Sequence, residues 1–161
     1  IFIFKQLFFY YKFNLFYDLM PWFGSKACKK KKLISLSWLR NLKNKKYPWW
    51  RFDTYLSKVK QTKLEIIDNG GWHFTNVKTA EEIHKKLSNF GHHNEYDESG
   101  LTPKDIQYCI DNRIVNYDHL ADKTKANKYN AKYKLQLASD EMLPKYLIDN
   151  REKYKNWFAN S

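Results

Sequence analysis

Glycine and proline are scarce in this chain, at 5 and 4 of 161 residues, against ordinary usage of roughly 7% and 5%. Collagen-like, linker-like and turn-rich low-complexity chains are thereby excluded. Cysteine is scarcer still. Cys28 and Cys109 cannot make a disulfide framework or a four-ligand zinc site between them, and neither belongs to a Cys-x-x-Cys pair that would do redox work. Arginine stands only at Arg40, Arg51, Arg113 and Arg151, although Lys+Arg total 29 against Asp+Glu 17 and the formal net charge is +12. The positive charge is therefore lysine charge. Arginine grips phosphates and guanines in a bidentate fork, whereas lysine is a hydrated point charge. Lys, Asn, Ile, Tyr and Phe are abundant together, as an A/T-rich gene would make them, so no nucleic acid partner is expected. A lysine-rich nucleic-acid-binding module is the rival reading, and it predicts a steep salt dependence of binding to any polyanion. A long apolar run is also missing. A membrane-crossing helix needs about 20 nearly uncharged residues, and Lys5, Lys12 and Asp18 interrupt the greasy start of the chain. No membrane segment and no signal peptide are read here.

What the chain does have is apolar and aromatic material, 43% and 18% of its residues, enough to build a packed core. It begins at Ile1 rather than Met and enters at once into Ile1-Phe2-Ile3-Phe4, which reads as a fragment cut within a core element. Residues 1–9 are short, aromatic and β-branched and favour strand, continuing in kind to Tyr17. Pro21 to Ser25 is a turn, Lys29 to Lys32 a solvated basic run, and Ser35 to Asn44 a short helix with Leu36, Leu39 and Leu42 at helical spacing. Leu64 to Ile67 reads as a strand, Asp68 to Gly71 as a turn, and Trp72 to Phe74 as extended chain again. A helix follows, capped by Thr79 with Glu82 three residues on, and Ile83, Leu87 and Phe90 face its core side. Residues 91–100 read as polar loop, Thr102-Pro103 with Asp105 opens a helix through Ile110, and a closing helix runs from Pro144 toward Trp157. Strands alternate with helices and no repeat is visible: the class is α/β.

Chemistry is densest at Asn69-Gly70-Gly71-Trp72-His73-Phe74 and the Thr79-Ala80-Glu81-Glu82-Ile83 that follows. Paired glycines let the backbone turn tightly and approach a ligand. Trp72 offers a flat apolar wall to a sugar, His73 a metal or phosphate contact, and Glu81 or Glu82 a carboxylate that takes a proton from a hydroxyl nucleophile. The same residues also read without a ligand, as a glycine hairpin, a core tryptophan, a buried histidine and a helix cap. His92-His93-Asn94-Glu95-Tyr96-Asp97 could be taken for a metal cluster, but adjacent histidines diverge on regular backbone and a polar loop explains them.

The stretches Gly70-Gly71-Trp72-His73-Phe74-Thr75, Thr79-Ala80-Glu81-Glu82-Ile83 and Leu143-Pro144-Lys145-Tyr146-Leu147 resemble glycosyltransferase family 17, whose members include the β-1,4-mannosyl-glycoprotein 4-β-N-acetylglucosaminyltransferases. Thr75 stands where the family has Ser, and Ala80 where it has Pro. Trp22-Phe23-Gly24-Ser25 is similar to the family's Trp-Pro-Gly-Thr turn, and Trp38-Leu39-Arg40 with Tyr47-Pro48-Trp49-Trp50-Arg51 is similar to its bacterial branch. The resemblance implies a GT-A-like, Rossmann-related fold and an inverting transfer of N-acetylglucosamine from a nucleotide sugar, UDP-N-acetylglucosamine, to a β-linked mannose or related glycan acceptor. It further implies a divalent cation, Mn or Mg, whose acidic ligands form an Asp-x-Asp-like motif that is not found in this sequence. On that likeness residues 1–161 are the C-terminal, acceptor-side part of a glycosyltransferase domain lacking its nucleotide-binding half. An inactive remnant of such an enzyme is a further reading. The implied roles are Glu81 or Glu82 as general base, His73 as metal or diphosphate contact, and Gly71, Trp72 and Trp49 in substrate binding.

Overall fold

The aromatic start of the chain folds as separate short strands, because the polar pair Lys5-Gln6 breaks the run. In a computed structural model that describes residues 1–89, 93–121 and 127–160, β1 (Phe2–Phe4) and β2 (Leu7–Tyr10) flank that pair, and β3 (Leu15–Phe16) follows a turn in which Tyr11 takes a φ of 64°. The chain divides into two compact units, one made of Ile1–Leu7 and Met20–His73, the other of Phe8–Leu19 and Phe74 onward.

In the first unit β1 is the middle of a three-stranded sheet. It pairs antiparallel with β4 (Lys26–Ala27) and parallel with β5 (Glu65–Ile67), Ile3 opposite Ile66. The sequence expectation that the N-terminal run and residues 64–67 share one sheet holds for β1 alone, because β2, from the same run, joins a different sheet. Ile3 and Leu64, at 0% and 4% exposure, are its buried anchors. Ser35 caps α1 (Leu36–Asn41), its side chain accepting from the Trp38 N–H at 3.0 Å. Of the leucines at helical spacing, Leu42 is buried and Leu36 lies in solvent. The basic run closes a 3-10 turn at Lys30–Lys32, exposed as expected. A one-turn helix α2 (Asp53–Leu56), not expected from the sequence, is pinned by Asp53, whose carboxylate takes both a forked bond from Arg51 (2.8 and 2.7 Å) and Lys60 Nζ (2.7 Å).

The second sheet runs in the order β6-β2-β3-β9, with β6 at Trp72–Thr75 and β9 at Gln136–Leu137. Within the second unit Phe9 sits opposite Phe16, and its ring stacks on Phe74 with centroids 5.0 Å apart. Phe9 is fully buried, so these rings form the hydrophobic centre of the unit. Helix α3 (Ala80–Ser88) starts at a complete capping box: Glu82 N–H donates to Thr79 Oγ1 at 3.3 Å and Thr79 N–H to Glu82 Oε2 at 3.0 Å. Ile83 is buried as expected and Leu87 half-buried; Phe90 lies outside the described residues. Another capping box, Thr102 with Asp105, opens α5 (Pro103–Asp111), which packs on α3.

Residues 93–97 correct the polar-loop reading. His93–Asp97 form a short helix, α4, because Tyr96 is buried at 2% exposure and its hydroxyl is fixed between His84 Nδ1 at 2.7 Å and the Leu101 carbonyl at 3.1 Å. His93 pairs with Asp97 along that helix at 2.7 Å, the i,i+4 contact of one helical turn. Gly91 and His92 lie outside the described residues. The strands β7 (Ile114–Val115) and β8 (Tyr133–Lys134) form an antiparallel pair. The closing helix is broken: a 3-10 turn at Asp140–Met142 leads to α6 (Lys145–Asp149), and a second 3-10 segment, Glu152–Trp157, bends at Tyr154. Asp149 and Asn150, weak helix formers that bond to nearby backbone instead, mark the break. The architecture is mixed α/β with small mixed sheets.

Candidate functional site

In the first unit the glycine turn is fixed by sterics. Gly71 has φ +108°, a value that side chains other than glycine rarely take. A Cβ on Gly70 would come within 2.7 Å of Phe4 Cβ and 2.9 Å of Phe4 Cα. The chain leaves this turn into β6 with Trp72 43% exposed and His73 half-buried. The His73 ring lies flat on the indole of Trp22, centroids 4.3 Å apart and planes 11° from parallel.

That stack joins two sequence motifs about fifty residues apart. Trp22 is held by a reciprocal backbone pair with Gln6, each N–H donating to the other's carbonyl at 2.9 Å. Gln6 also works through its side chain, Nε2 donating to the Trp72 carbonyl at 3.4 Å and Oε1 accepting from Ser25 Oγ at 3.1 Å. Gly24 leaves the space the indole occupies, since a Cβ there would be 2.1 Å from Trp22 Nε1. Sequence reasoning missed Gln6. Its signal was a lone neutral polar side chain amid an aromatic, β-branched run. The arrangement stacks an indole on an imidazole on one side of β6, while Trp72, the preceding strand residue, directs its half-exposed indole to the other side.

Trp49, also in this unit, is 74% exposed. It meets Trp50 edge to face at 6.2 Å, and its carbonyl accepts from the Tyr55 hydroxyl at 3.3 Å. The loop is anchored through Arg51, whose fork holds the Asp53 carboxyl far below the ordinary carboxylate range, with Lys60 adding to the same effect.

The two carboxylates belong to the second unit, in the first turn of α3. Glu82 is committed to the capping box. Glu81 is exposed, and its carboxylate makes no hydrogen bond or ion pair with the described residues. Of the two, Glu81 has the free carboxylate that proton transfer needs.

Among the described residues no group of three or more His, Cys, Asp or Glu side chains could hold a metal ion. Among the described residues His73 therefore has no set of co-ligands, and no chemical step is assigned to a cation. Among the described residues no helix is long and apolar enough to cross a membrane. No family model, no curated protein and no solved structure matches this chain.

Proposed function

We propose that the chain belongs to an inverting glycosyltransferase of the family 17 type, with a GT-A-like fold, that transfers N-acetylglucosamine from UDP-N-acetylglucosamine to a β-linked mannose or related glycan. The observation that carries this reading is the meeting of Trp22 and His73. The Trp-Phe-Gly-Ser turn and the Gly-Gly-Trp-His strand are far apart in sequence and resemble the same family separately, and here they build one wall through a ring stack and Gln6. Trp72, next to His73 in the strand, is 43% exposed, which a core role alone would not require.

In the reaction the acceptor hydroxyl oxygen attacks the anomeric carbon of the donor, the bond from that carbon to the diphosphate oxygen breaks, and UDP leaves. The hydroxyl proton goes to a carboxylate. One displacement inverts the α-linked donor to a β-linkage, so a single base suffices and no covalent intermediate forms. Glu81 is the base, because Glu82 spends its carboxylate on the Thr79 N–H. Trp72 supplies the stacking face.

The test is transfer by the full-length gene product. UDP release with a β-mannoside acceptor is expected, Glu81→Gln lowering turnover by about 10²–10⁴-fold, the usual contribution of one catalytic base, and Glu82→Gln leaving it near the parent. Full turnover in Glu81→Gln removes the base assignment, and absence of any glycosyl transfer removes the function.

A further inference from the structure

We infer that a cavity in the second unit, walled by Tyr10, Asn76, Lys86, Glu95, Tyr117 and Tyr129, binds a saccharide residue that carries one anionic group. Its volume of about 540 Å³ falls in the range of small-molecule sites, and none of these side chains takes part in the transfer chemistry described above.

The polar groups of the wall form a directed chain that stops short. Lys86 Nζ donates to Asn76 Oδ1 at 2.7 Å, and Asn76 Nδ2 donates to the Tyr10 hydroxyl oxygen at 3.2 Å. Tyr10 is 6% exposed and Asn76 9%. Having accepted from Asn76, the Tyr10 O–H has no acceptor of its own among the described residues. The hydroxyl keeps its one partner in Asn76, and its proton is left to donate to an oxygen atom of a ligand in the cavity it lines. Asn76 is held in place for the purpose by a left-handed backbone, φ 52°, a conformation asparagine tolerates better than most residues.

Charge points the same way. Glu95 is paired with Lys128 at 2.7 Å, so those two cancel. Lys86 has no carboxylate partner among the described residues. Desolvation, with Lys78 adding repulsion, pulls its ammonium below the ordinary lysine pKa. An anion placed at Lys86 relieves both effects. The net positive charge of the described wall calls for one negative charge, not for a polyanion.

The aromatic geometry selects the rest of the ligand. Tyr117 and Tyr129 meet at 5.1 Å with planes 66° apart, Tyr117 and His119 at 4.8 Å and 70°, Tyr10 and His119 at 5.6 Å and 68°. None of these pairs lies parallel, so a planar base finds no slot between two rings. A puckered pyranose presents C–H groups to single ring faces and hydroxyls to Asn76, Tyr10 and Glu95, which are donor, donor and acceptor. That this pocket is the acceptor subsite would rest on the transferase reading; that it binds an acidic sugar does not.

The experiment is an NMR titration of the full chain, watching the Asn76 side-chain amide, with glucuronate, glucose 6-phosphate, glucose, inorganic phosphate and UMP. Saturable shifts are expected with glucuronate or glucose 6-phosphate, and which of the two binds tells a carboxylate source from a phosphate source. Glucose and phosphate alone should bind about tenfold or more weakly, and Lys86→Gln should weaken the acidic sugar by about tenfold or more, the scale of one lost charge-assisted hydrogen bond. Lys86 is exposed as a residue, and the circular dichroism and Tm of Lys86→Gln against the parent check that the variant keeps the fold. Tyr10→Phe should weaken binding too. Equal binding of glucose overturns the anion, equal binding of phosphate overturns the sugar, tighter binding of UMP overturns the class, and no shift at all, or an unchanged affinity in Lys86→Gln, overturns the site. Turnover does not enter these readouts, so the pocket can fail while transfer stands, and transfer can fail while the pocket stands.

Discussion

Substituting Gly24 by alanine tests whether the wall at Trp22 and His73 is a built feature of the first unit. The added methyl would sit 2.1 Å from Trp22 Nε1, 2.9 Å from Cε2 and 3.0 Å from Cδ1, so the indole must leave its position over the imidazole. Losing one aromatic stack costs about 0.5–1.5 kcal/mol. Alanine restricts the unfolded chain more than glycine and returns about 0.4–1 kcal/mol. The backbone pair between Gln6 and Trp22 has no reason to break. The net change is therefore at most about 1 kcal/mol, a drop in Tm of roughly 2–4 °C for a chain of this size. Stability should hardly move while the geometry does. The sensitive assay is the NMR spectrum of the His73 ring, whose protons lie over the indole face and are shielded by it in the parent. Gly24→Ala should return them to ordinary positions, and turnover should fall with them. Unchanged His73 resonances would refute the stack as drawn, and a loss of Tm well beyond this range would show that Gly24 serves the fold rather than the wall.

Phe9→Ala should be among the most damaging single changes, costing about 3–5 kcal/mol, since Phe9 is fully buried between Phe16 and Phe74; denaturant unfolding checks it. Thr79→Ala should cost about 1 kcal/mol while Glu82→Gln costs little, because glutamine also serves in a capping box; equal losses in the two variants would contradict the cap geometry. Asp105 accepts from the Thr102 hydroxyl and backbone, which lowers its pKa in the folded state. A depressed folded pKa gives stability that is present above the unfolded value of about 3.9 and lost as pH falls through the folded one. Asp105→Asn should flatten the acid limb of the stability curve below about pH 4, and an unchanged limb would count against the bond.

The parts of this molecule legible in its sequence are those set by local chemistry. Thr79 with Glu82 and Thr102 with Asp105 announce helix starts three residues wide, and both boxes form. The glycine turn and the strand at Trp72 were equally plain. The two-residue strands β4 and β7 to β9 were not, because each exists only through a partner strand and too little sequence carries the period. Helix α4 was hidden because a single buried side chain, Tyr96, organises an otherwise polar stretch. The wall at Trp22 was half legible. Its two motifs could be seen, but their meeting depends on Gln6, which bears no motif. The cavity was invisible for a related reason: Lys86 reads as one more solvent-facing lysine, and nothing in an isolated Asn76 shows that its backbone is left-handed or that its amide bridges a lysine to a buried tyrosine.

The proposed function is transfer of N-acetylglucosamine by an enzyme of which this chain is part. The most direct measurement is mass spectrometry of a β-mannoside acceptor incubated with UDP-N-acetylglucosamine and the full-length gene product, alongside its Glu81→Gln variant. The account predicts an acceptor heavier by one N-acetylhexosamine in a β-linkage, and a product yield in the variant lower by about 10²-fold or more. An acceptor that stays unmodified across donors and acceptors, or a product formed equally by the variant, would contradict it.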